Sequence, residues 1–322
     1  KSYTGLAKWD AYAQRRDFTP LEMIDYFKEE PMDFASGEEF RYNNSGYFIL
    51  GYVIEKASGM TYEAYVEQEL FAPLGMRQSY YGNPEEIIAK RVAGYMPSAD
   101  GGLKNAEYLS MTQPYAAGSL LSTVGDLAKW YAAVQAGKVV KPASLELALA
   151  PTTLNNGTTE DYGFGLGLVD IKGSKGYGHG GGIHGFLTAS TYLPGEDVFV
   201  AVFSNSNLNA PDGPATRLAE IAIGKYAPPK MVKVGVEVLK RCAGVYQLGP
   251  GFNVTVKVED NHLVGQATGQ GPLKLMPTAQ DTYLNEGSGI KIQFDLKADS
   301  GAAPSFTLFQ GGREMVAKRL EQ

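Results

Sequence analysis

The sequence predicts an α/β (α+β) protein with helices on an antiparallel sheet, followed by an antiparallel β-barrel. The chain has 322 residues, which is longer than single hydrophobic cores usually grow. Helix-like and strand-like stretches alternate up to about residue 226, whereas strand-turn patterns dominate from about residue 238. We therefore expect a first domain at residues 1–226, a linker at 227–237 and a barrel domain at 238–322.

Capping signals predict the first two helices. Thr19 is followed by Pro20 and, three residues after Thr19, by Glu22, which is the pattern of a capping box with proline at the first helical position. Residues 45–57 carry apolar side chains at helical spacing and end at a Ser-Gly stop signal.

Three further helices are expected in the first domain. One begins at residue 61 and is ended by Pro73 and a nearby glycine. Another is capped by Thr123 with Asp126 and reaches about residue 137. The last is expected at about residues 214–225, before a proline-containing linker.

Strands are predicted where apolar runs are bounded by turns. Residues 186–193 and 198–204 flank a Pro-Gly-Glu-Asp turn and indicate a hairpin. In the barrel region the predicted strands cover residues 252–258, 262–268, 290–296, 305–310 and 315–320. A closed or nearly closed meander is expected, because closure hides strand edges.

Composition excludes several classes of protein. An apolar content of 44%, with 14 Phe and 20 Tyr, indicates a globular chain with a large core. The net charge of −6 and the absence of a basic run argue against a nucleic-acid partner. Cys242 is the single cysteine, so no internal disulfide is expected. No apolar stretch is long enough to predict a membrane span.

Two segments carry residues suited to catalysis. Tyr42 and Asn44 stand just before the predicted second helix, where a phenol and an amide can face one cleft. The alternative is an aromatic lid with Asn44 as a helix cap. The second segment, residues 177–186 (YGHGGGIHGF), sets a titratable ring beside an open glycine backbone, as an oxyanion site requires. The alternative is a glycine hinge with His184 in a structural role.

Taken together, these segments resemble the serine β-lactamase, penicillin-binding protein and esterase superfamily, in its class C branch. Tyr42-Asn43-Asn44 matches the Tyr-x-Asn motif, and His179-Gly180-Gly181 matches the Lys-Thr-Gly or His-x-Gly strand. Residues 117–123 with Asp126 match the glycine-serine-threonine segment before a helix. The resemblance covers residues 1–226 and implies a truncated serine β-lactamase-like fold. Residues 242–246 and 309–314 are similar to the lipocalin-like barrel appended to many such hydrolases.

The resemblance implies roles for individual residues. Tyr42 would transfer protons together with a lysine, and Asn44 would hold a substrate amide and help to position that lysine. His179 would line the cleft where many relatives have lysine. The amide of Gly182 would form half of an oxyanion hole. Substrate binding is expected at residues of the second and third matching segments: Gly180, Gly181 and Ser119.

The nucleophile expected from the resemblance, a Ser-x-x-Lys pair upstream of Tyr42, is not in this sequence. The string Ser288-Gly289-Ile290-Lys291 occurs in the barrel region, at the start of a strand, and we reject it as catalytic. We therefore expect the upstream part of the domain to be absent. This chain alone should be inactive unless a separate piece supplies that segment as a partner.

The expected function is that of part of a serine acyl hydrolase acting through an acyl-enzyme on esters, D-aminoacyl peptides or β-lactams. Because His179 replaces a permanent ammonium, we favour esters and D-aminoacyl peptides over β-lactams. The expected partner is a small-molecule or peptide substrate. The resemblance implies no cofactor and a periplasmic or secreted location.

Two alternatives belong to other functional classes. A metal hydrolase would need His179, His184 and His262 as ligands, but the first two fall on opposite faces of a strand and the third lies in another domain. A noncatalytic peptide- or partner-binding protein of hydrolase-like fold is the stronger alternative.

Overall fold

The structure is a computed structural model that describes residues 1–98, 102–208, 210–249, 251–285, 287–296, 301–310 and 313–320. Its helices are α1 (Pro20–Phe27), α2 (Asn44–Ser58), α3 (Tyr62–Tyr65), α4 (Val124–Gln135), α5 (Pro142–Ala148), α6 (Asp212–Ala222) and α7 (Val236–Cys242). A π-helical segment, Val66–Phe71, continues α3. Short 3-10 helices cover Tyr3–Gly5, Ala13–Arg15 and Tyr115–Ala117.

Side-chain caps fix the start of two predicted helices. The Thr19 hydroxyl accepts a hydrogen bond from the Glu22 amide, and the Glu22 carboxylate accepts one from the Thr19 amide. Helix α4 begins in a similar way, because the Thr123 hydroxyl accepts from the Asp126 amide at 3.2 Å. Both predicted caps are confirmed, since each satisfies an amide that the first helical turn leaves free.

Helix α2 confirms the prediction for residues 45–57 but uses a different cap. The Oδ1 atom of Asn43 accepts from the Gly46 amide at 3.0 Å, so Asn43 is the capping residue and Asn44 is the first helical residue. Gly59 ends the helix in the left-handed region, with φ 74°. The side chain of Asn44 is therefore available for another role.

The strands of the first region are β1 (Tyr80–Tyr81), β2 (Tyr95–Pro97), β3 (Leu103–Asn105), β4 (Leu120–Leu121), β5 (Thr152–Thr153), β6 (Thr159–Glu160), β7 (Gly167–Ile171), β8 (Ser174–Ile183), β9 (Phe186–Leu193) and β10 (Val198–Ser204). The last four form an antiparallel sheet in the order β10-β9-β8-β7. The predicted hairpin is confirmed as β9 and β10. Within the described residues, β10 is an edge strand of this sheet.

Helices cover both faces of this sheet. On one face, Ala215 and Ala219 of α6 pack with Ala189 and Leu193 of β9. On the other face, Tyr131 of α4 packs with buried tyrosines of β8 and β9. Alternate residues of a strand share a face, so β8 directs the His179 side chain to the α4 side.

The second region is an eight-stranded antiparallel barrel. Its strands are β11 (Gly244–Gly249), β12 (Phe252–Glu259), β13 (His262–Ala267), β14 (Leu273–Pro277), β15 (Thr282–Asn285), β16 (Ile290–Phe294), β17 (Ser305–Gln310) and β18 (Arg313–Arg319). They pair in sequence order and close through β11 and β18, which confirms the predicted closed meander. The core contains the fully buried rings of Tyr246, Tyr283, Phe294 and Phe306, and α7 packs onto it through Leu239 and Cys242. Gly311 and Gly312 of the barrel-like segment lie outside the described residues.

Candidate active site

The structure brings together the two predicted motifs, one just before α2 and the other in β8. Tyr42 lies immediately before the Asn43 cap, and its side chain is 48% exposed. Its ring centroid is 6.0 Å from that of His179. The ring of Tyr162 is 6.2 Å from Tyr42 and 5.8 Å from His179, so the three rings form a cluster.

Both nitrogens of the His179 ring are hydrogen-bonded. Nδ1 lies 2.5 Å from the carbonyl oxygen of Gly180, and Nε2 lies 2.8 Å from the hydroxyl of Tyr162. A carbonyl only accepts, so Nδ1 carries the proton in this arrangement. In the neutral ring Nε2 then accepts from the Tyr162 hydroxyl, an assignment made from the hydrogen-bond network.

Tyr162 is a site residue that sequence reasoning missed. It follows β6, its carbonyl accepts from the Thr152 hydroxyl at 2.7 Å, and its ring contacts Phe40 at a centroid distance of 5.4 Å. Burial, followed by the phenols of Tyr47 and Tyr42, raises the pKa of Tyr162. Its hydroxyl therefore stays protonated at neutral pH. No local motif marks Tyr162, since its hydrogen-bond partner, His179, lies on a strand seventeen residues later in the chain.

Tyr47 of α2 lies next to Tyr162. The Tyr47 phenol is near enough to Tyr162 to contribute to the raised pKa of the Tyr162 hydroxyl. Gly165 lies three residues after Tyr162 and has a φ of +75°. A Cβ atom at this position would lie 3.1 Å from the Tyr47 ring. The left-handed backbone and the close ring together favour glycine at this position. The loop can thus lie against α2 and hold Tyr162 over the cleft.

The glycines after His179 form an open strand edge. Strand β7 pairs with β8 only as far as Gly178, whereas β9 continues to pair with β8 up to Ile183. Among the described strands, none pairs with residues 179–183 on the β7 side. Gly180, Gly181 and Gly182 are exposed there. Free main-chain groups at such an edge suit both an oxyanion and an extended substrate.

The remaining predicted site residues lie in different surroundings. The Asn44 amide donates to the Thr4 hydroxyl at 3.2 Å, at the start of α2. Ser119 is only 1% exposed, and its hydroxyl donates to the carbonyl of Met111. The Ser119 hydroxyl is therefore not accessible to a substrate in this structure.

The electrostatic setting of Tyr42 keeps its phenol protonated. Burial, with a smaller contribution from Tyr47, raises the pKa of Tyr42 above its ordinary value. The expected partial phenolate therefore needs a cation that offsets this increase. Proton transfer by Tyr42 at neutral pH depends on such a partner.

The rejected alternatives have no common centre. His184 is bonded through Nδ1 to the Glu107 carbonyl at 3.3 Å. Across the described ranges, no group of three His, Cys, Asp or Glu side chains is placed to hold a metal ion. Ser288 donates to Asn285 at 2.8 Å, while the Lys291 ammonium lies over the Phe309 ring. Those contacts hold Ser288 and Lys291 in structural roles in the barrel.

The sequence model of the Beta-lactamase family matches residues 2–225, which include the whole ring cluster and the open edge of β8. The chain belongs to the Beta-lactamase family. This family of serine hydrolases includes relatives named as penicillin-binding proteins and D-aminopeptidases.

Similar proteins extend the comparison beyond the family match. Penicillin-binding protein 4* of Bacillus subtilis is 27% identical, over 97% of this chain and 73% of its own length. A D-aminopeptidase of Cereibacter sphaeroides is 25% identical, over 80% of this chain and 48% of its own length. Parts of both relatives, and more than half of the second, therefore lie outside the match.

A solved structure also resembles the chain over most of its length. The octameric penicillin-binding protein homologue from Pyrococcus abyssi superposes with a TM-score of 0.62 and 28% identity, covering 93% of this chain and 70% of that one. A D-stereospecific amidohydrolase from Streptomyces, at 23% identity and a TM-score of 0.60, covers 70% of this chain and shares its fold. None of the helices in the described part of the chain combines the length and apolar character needed to cross a bilayer.

Proposed function

We propose that this beta-lactamase-family chain is part of a serine acyl hydrolase that acts through an acyl-enzyme on esters or D-aminoacyl peptides. The observation that carries the proposal is the meeting of Tyr42 and His179, with ring centroids 6.0 Å apart, beside the open edge of β8. Proton-handling side chains and free main-chain donors thus stand at one cleft.

Each residue has a distinct part in the proposed reaction. Tyr42, paired with a lysine ammonium, takes the proton of the attacking serine and returns it to the leaving group. The amide of Gly182 stabilises the developing oxyanion. Gly180 and Gly181 receive the substrate main chain along the strand edge. Asn44, at the start of α2, positions the lysine and a substrate amide.

The serine and lysine are proposed to come from residues outside these 322. The described part of α2 offers a surface for a helix that carries them, because Ile49, Leu50 and Val53 are 41%, 52% and 52% exposed. Packing a helix on these side chains would bury apolar surface that α2 now exposes.

The substrate class rests on His179. A neutral imidazole, already bonded to Tyr162 and Gly180, offers no permanent positive charge to the carboxylate of a β-lactam. Esters and D-aminoacyl peptides do not require that charge, and one matched relative is named a D-aminopeptidase. A periplasmic or secreted location would give such a hydrolase access to cell-wall or external substrates.

The test compares the full-length gene product with this chain. Both are assayed with p-nitrophenyl acetate, D-alanine p-nitroanilide and nitrocefin. We expect the full-length protein to turn over the first two substrates and this chain to turn over none. Turnover by this chain would overturn the proposed source of the nucleophile. An inactive full-length protein that still binds D-aminoacyl peptides would be a noncatalytic binding protein.

A further inference from the structure

The turn between β8 and β9 lies directly beside the residue to which the oxyanion donor is assigned. Ile183 pairs with Phe186, so the turn consists of the two residues between them. Gly182 is the next strand residue and pairs with Leu187. In a two-residue hairpin the pair that flanks the turn exchanges hydrogen bonds, and the following pair does not. The amide of Gly182 therefore points away from β9 to the open edge, and its position depends on the turn.

This turn is of a type that does not stabilise a hairpin by itself. Gly185 has a φ of +83°, whereas the φ of His184 is negative. A positive φ at only the second central residue is the pattern of a type II turn. Two-residue hairpins favour types I′ and II′, because the twist of type I and type II turns splays the strands. The turn therefore needs support from outside the hairpin.

The side chain of Asn207, which follows β10, bonds to both sides of this turn. Its Oδ1 atom accepts from the Gly185 amide at 2.5 Å, and its Nδ2 atom donates to the Ile183 carbonyl at 3.3 Å. The amide oxygen can only accept and the amide nitrogen can only donate, so the two contacts together fix the orientation of the side chain. Asn207 thus ties the turn to the chain segment after β10.

The segment that carries Asn207 is itself held in place by main-chain contacts. The Asn207 amide donates to the Tyr95 carbonyl at 3.1 Å, and the Tyr95 amide donates to the Asn205 carbonyl at 2.9 Å. Gly94 packs against the turn, because a Cβ atom at Gly185 would lie 2.7 Å from the Gly94 Cα atom. The turn therefore rests on the same segment to which Asn207 is anchored.

We propose that Asn207 is a positioning residue for acyl transfer, which holds the β8–β9 turn and thereby sets the position of the Gly182 amide. The inference rests on the proposed function, since that function assigns the oxyanion donor to Gly182. Asn207 lies outside the sequence motifs and acts through the turn. Its effect on rate can be large, because a displacement of about 1 Å in a catalytic group can cost on the order of a hundredfold.

The kinetic test uses the full-length protein, with p-nitrophenyl acetate as substrate and phenylboronic acid as an inhibitor that forms a tetrahedral adduct with serine. Asn207→Ala removes both contacts to the turn, whereas Asn207→Asp keeps an acceptor for the Gly185 amide. We expect kcat to fall about tenfold or more in the alanine variant and less in the aspartate variant, with KM changed by less than about threefold. Inhibition should weaken in proportion to kcat/KM, because the adduct uses the same oxyanion donor.

Asn205→Ala is the matched control. The Asn205 side chain is exposed and donates to the Ala93 carbonyl at 2.9 Å, not to the turn, and alanine keeps the main-chain bond to Tyr95. Its kcat should stay within about twofold of the parent value. If Asn207→Ala matches this control in kcat while melting at the parent temperature, the inference is overturned. Equal losses in both variants would also overturn it, since they would reflect the loop as a whole.

Hydrogen exchange followed by mass spectrometry tests the turn without turnover. The Gly185 amide loses its acceptor in Asn207→Ala, so a peptide spanning residues 182–187 should contain an amide that exchanges about tenfold faster. Asn205→Ala should exchange as the parent does. An inactive parent would overturn the proposed function and the role in acyl transfer, and this measurement would still decide whether Asn207 holds the turn. Unchanged exchange in Asn207→Ala would refute that support itself.

Discussion

The hydroxyl of Tyr162 lies 2.8 Å from Nε2 of His179, while the other ring nitrogen is bonded to the Gly180 carbonyl. These two contacts fix the orientation of the imidazole and its tautomer. Tyr162 is thereby a positioning residue of the candidate active site, since it acts through His179.

Replacing Tyr162 with phenylalanine should change the tautomer of His179 without unfolding the chain. The variant removes the donor to Nε2, so the Nδ1–H form loses its support and the Nε2–H form gains population. The measurement is the 15N shift of both ring nitrogens at a pH where the ring is neutral. Tyr12→Phe, at a residue 76% exposed, is the matched control. An unchanged pair of shifts would show that the contact does not set the tautomer.

Tyr42→Phe should abolish most acyl transfer in the full-length protein. Loss of a positioned proton-transfer group typically costs on the order of a hundredfold in rate or more. The readout is kcat for p-nitrophenyl acetate, with a thermal melt to show that folding is retained. A variant as active as the parent would exclude Tyr42 as the base.

His179→Lys should shift substrate preference in the full-length protein towards carboxylate-bearing substrates. A lysine ammonium would attract a substrate carboxylate that a neutral imidazole does not. KM values for matched substrates with and without a free carboxylate report the change. His262→Lys in the barrel provides the control. Parallel KM changes for both substrates would indicate that His179 does not face the ligand.

Asp126 should make stability depend on pH in the acid range. Its carboxylate, 2% exposed, accepts from the Gln78 amide at 2.7 Å, from Ser79 at 3.1 Å and from the Lys129 ammonium at 2.7 Å. Burial by itself would raise the pKa of Asp126, but these hydrogen bonds together lower it below its ordinary value. A lowered folded-state pKa gives stability that is complete above the unfolded value, near 3.9, and is lost as pH falls through the folded value.

Asp126→Asn should therefore cost about 2 kcal/mol of unfolding free energy at neutral pH, and less as the solution is acidified below about pH 4. Urea unfolding at several pH values measures the difference. The exposed residue Asp25 supplies a control variant, Asp25→Asn. A difference that stays constant with pH would contradict the role of the charge.

Arg319 joins α7 to the barrel through main-chain carbonyls. Its guanidinium donates to the carbonyls of Arg241 at 3.3 Å and Ala303 at 3.2 Å, to that of Ala243, and to the Tyr246 hydroxyl at 3.0 Å. Lysine keeps the charge but not the planar fork, so Arg319→Lys should destabilise the chain by about 2 kcal/mol.

Urea unfolding followed by far-UV circular dichroism measures that loss. Arg91→Lys, at an exposed position, is the control and should change stability by less than about 0.5 kcal/mol. Equal stability of the two variants would show that the carbonyl contacts of Arg319 are replaceable by water.

Much of the fold follows from local signals in the sequence. The caps at Thr19 and Thr123 and the hairpin turn after residue 193 act over a few residues, so the elements they bound are readable without tertiary contacts. The short helices α5 and α7 were not predicted. Helix α7 contains two β-branched valines and is stabilised by packing of Leu239 and Cys242 on the barrel.

The site was predictable in its two motifs and not in their surroundings. Tyr42 and His179 stand in recognisable segments, and the sheet brings them together. Tyr162 stands in a loop without a motif, and only the tertiary fold sets it against His179. Ser119 also stands at a motif position, but the motif alone does not reveal that its hydroxyl donates inward to the Met111 carbonyl.

The outer border of β10 has a practical consequence for protein production. Its sequence, VFVAVFS, contains neither a charge nor a proline, and Phe203 is 36% exposed. Natural edge strands usually carry charged residues or proline, which discourage pairing between molecules. When these 322 residues are expressed by themselves, concentrated samples should self-associate along this border, and a lysine introduced at Phe203 should keep them dispersed.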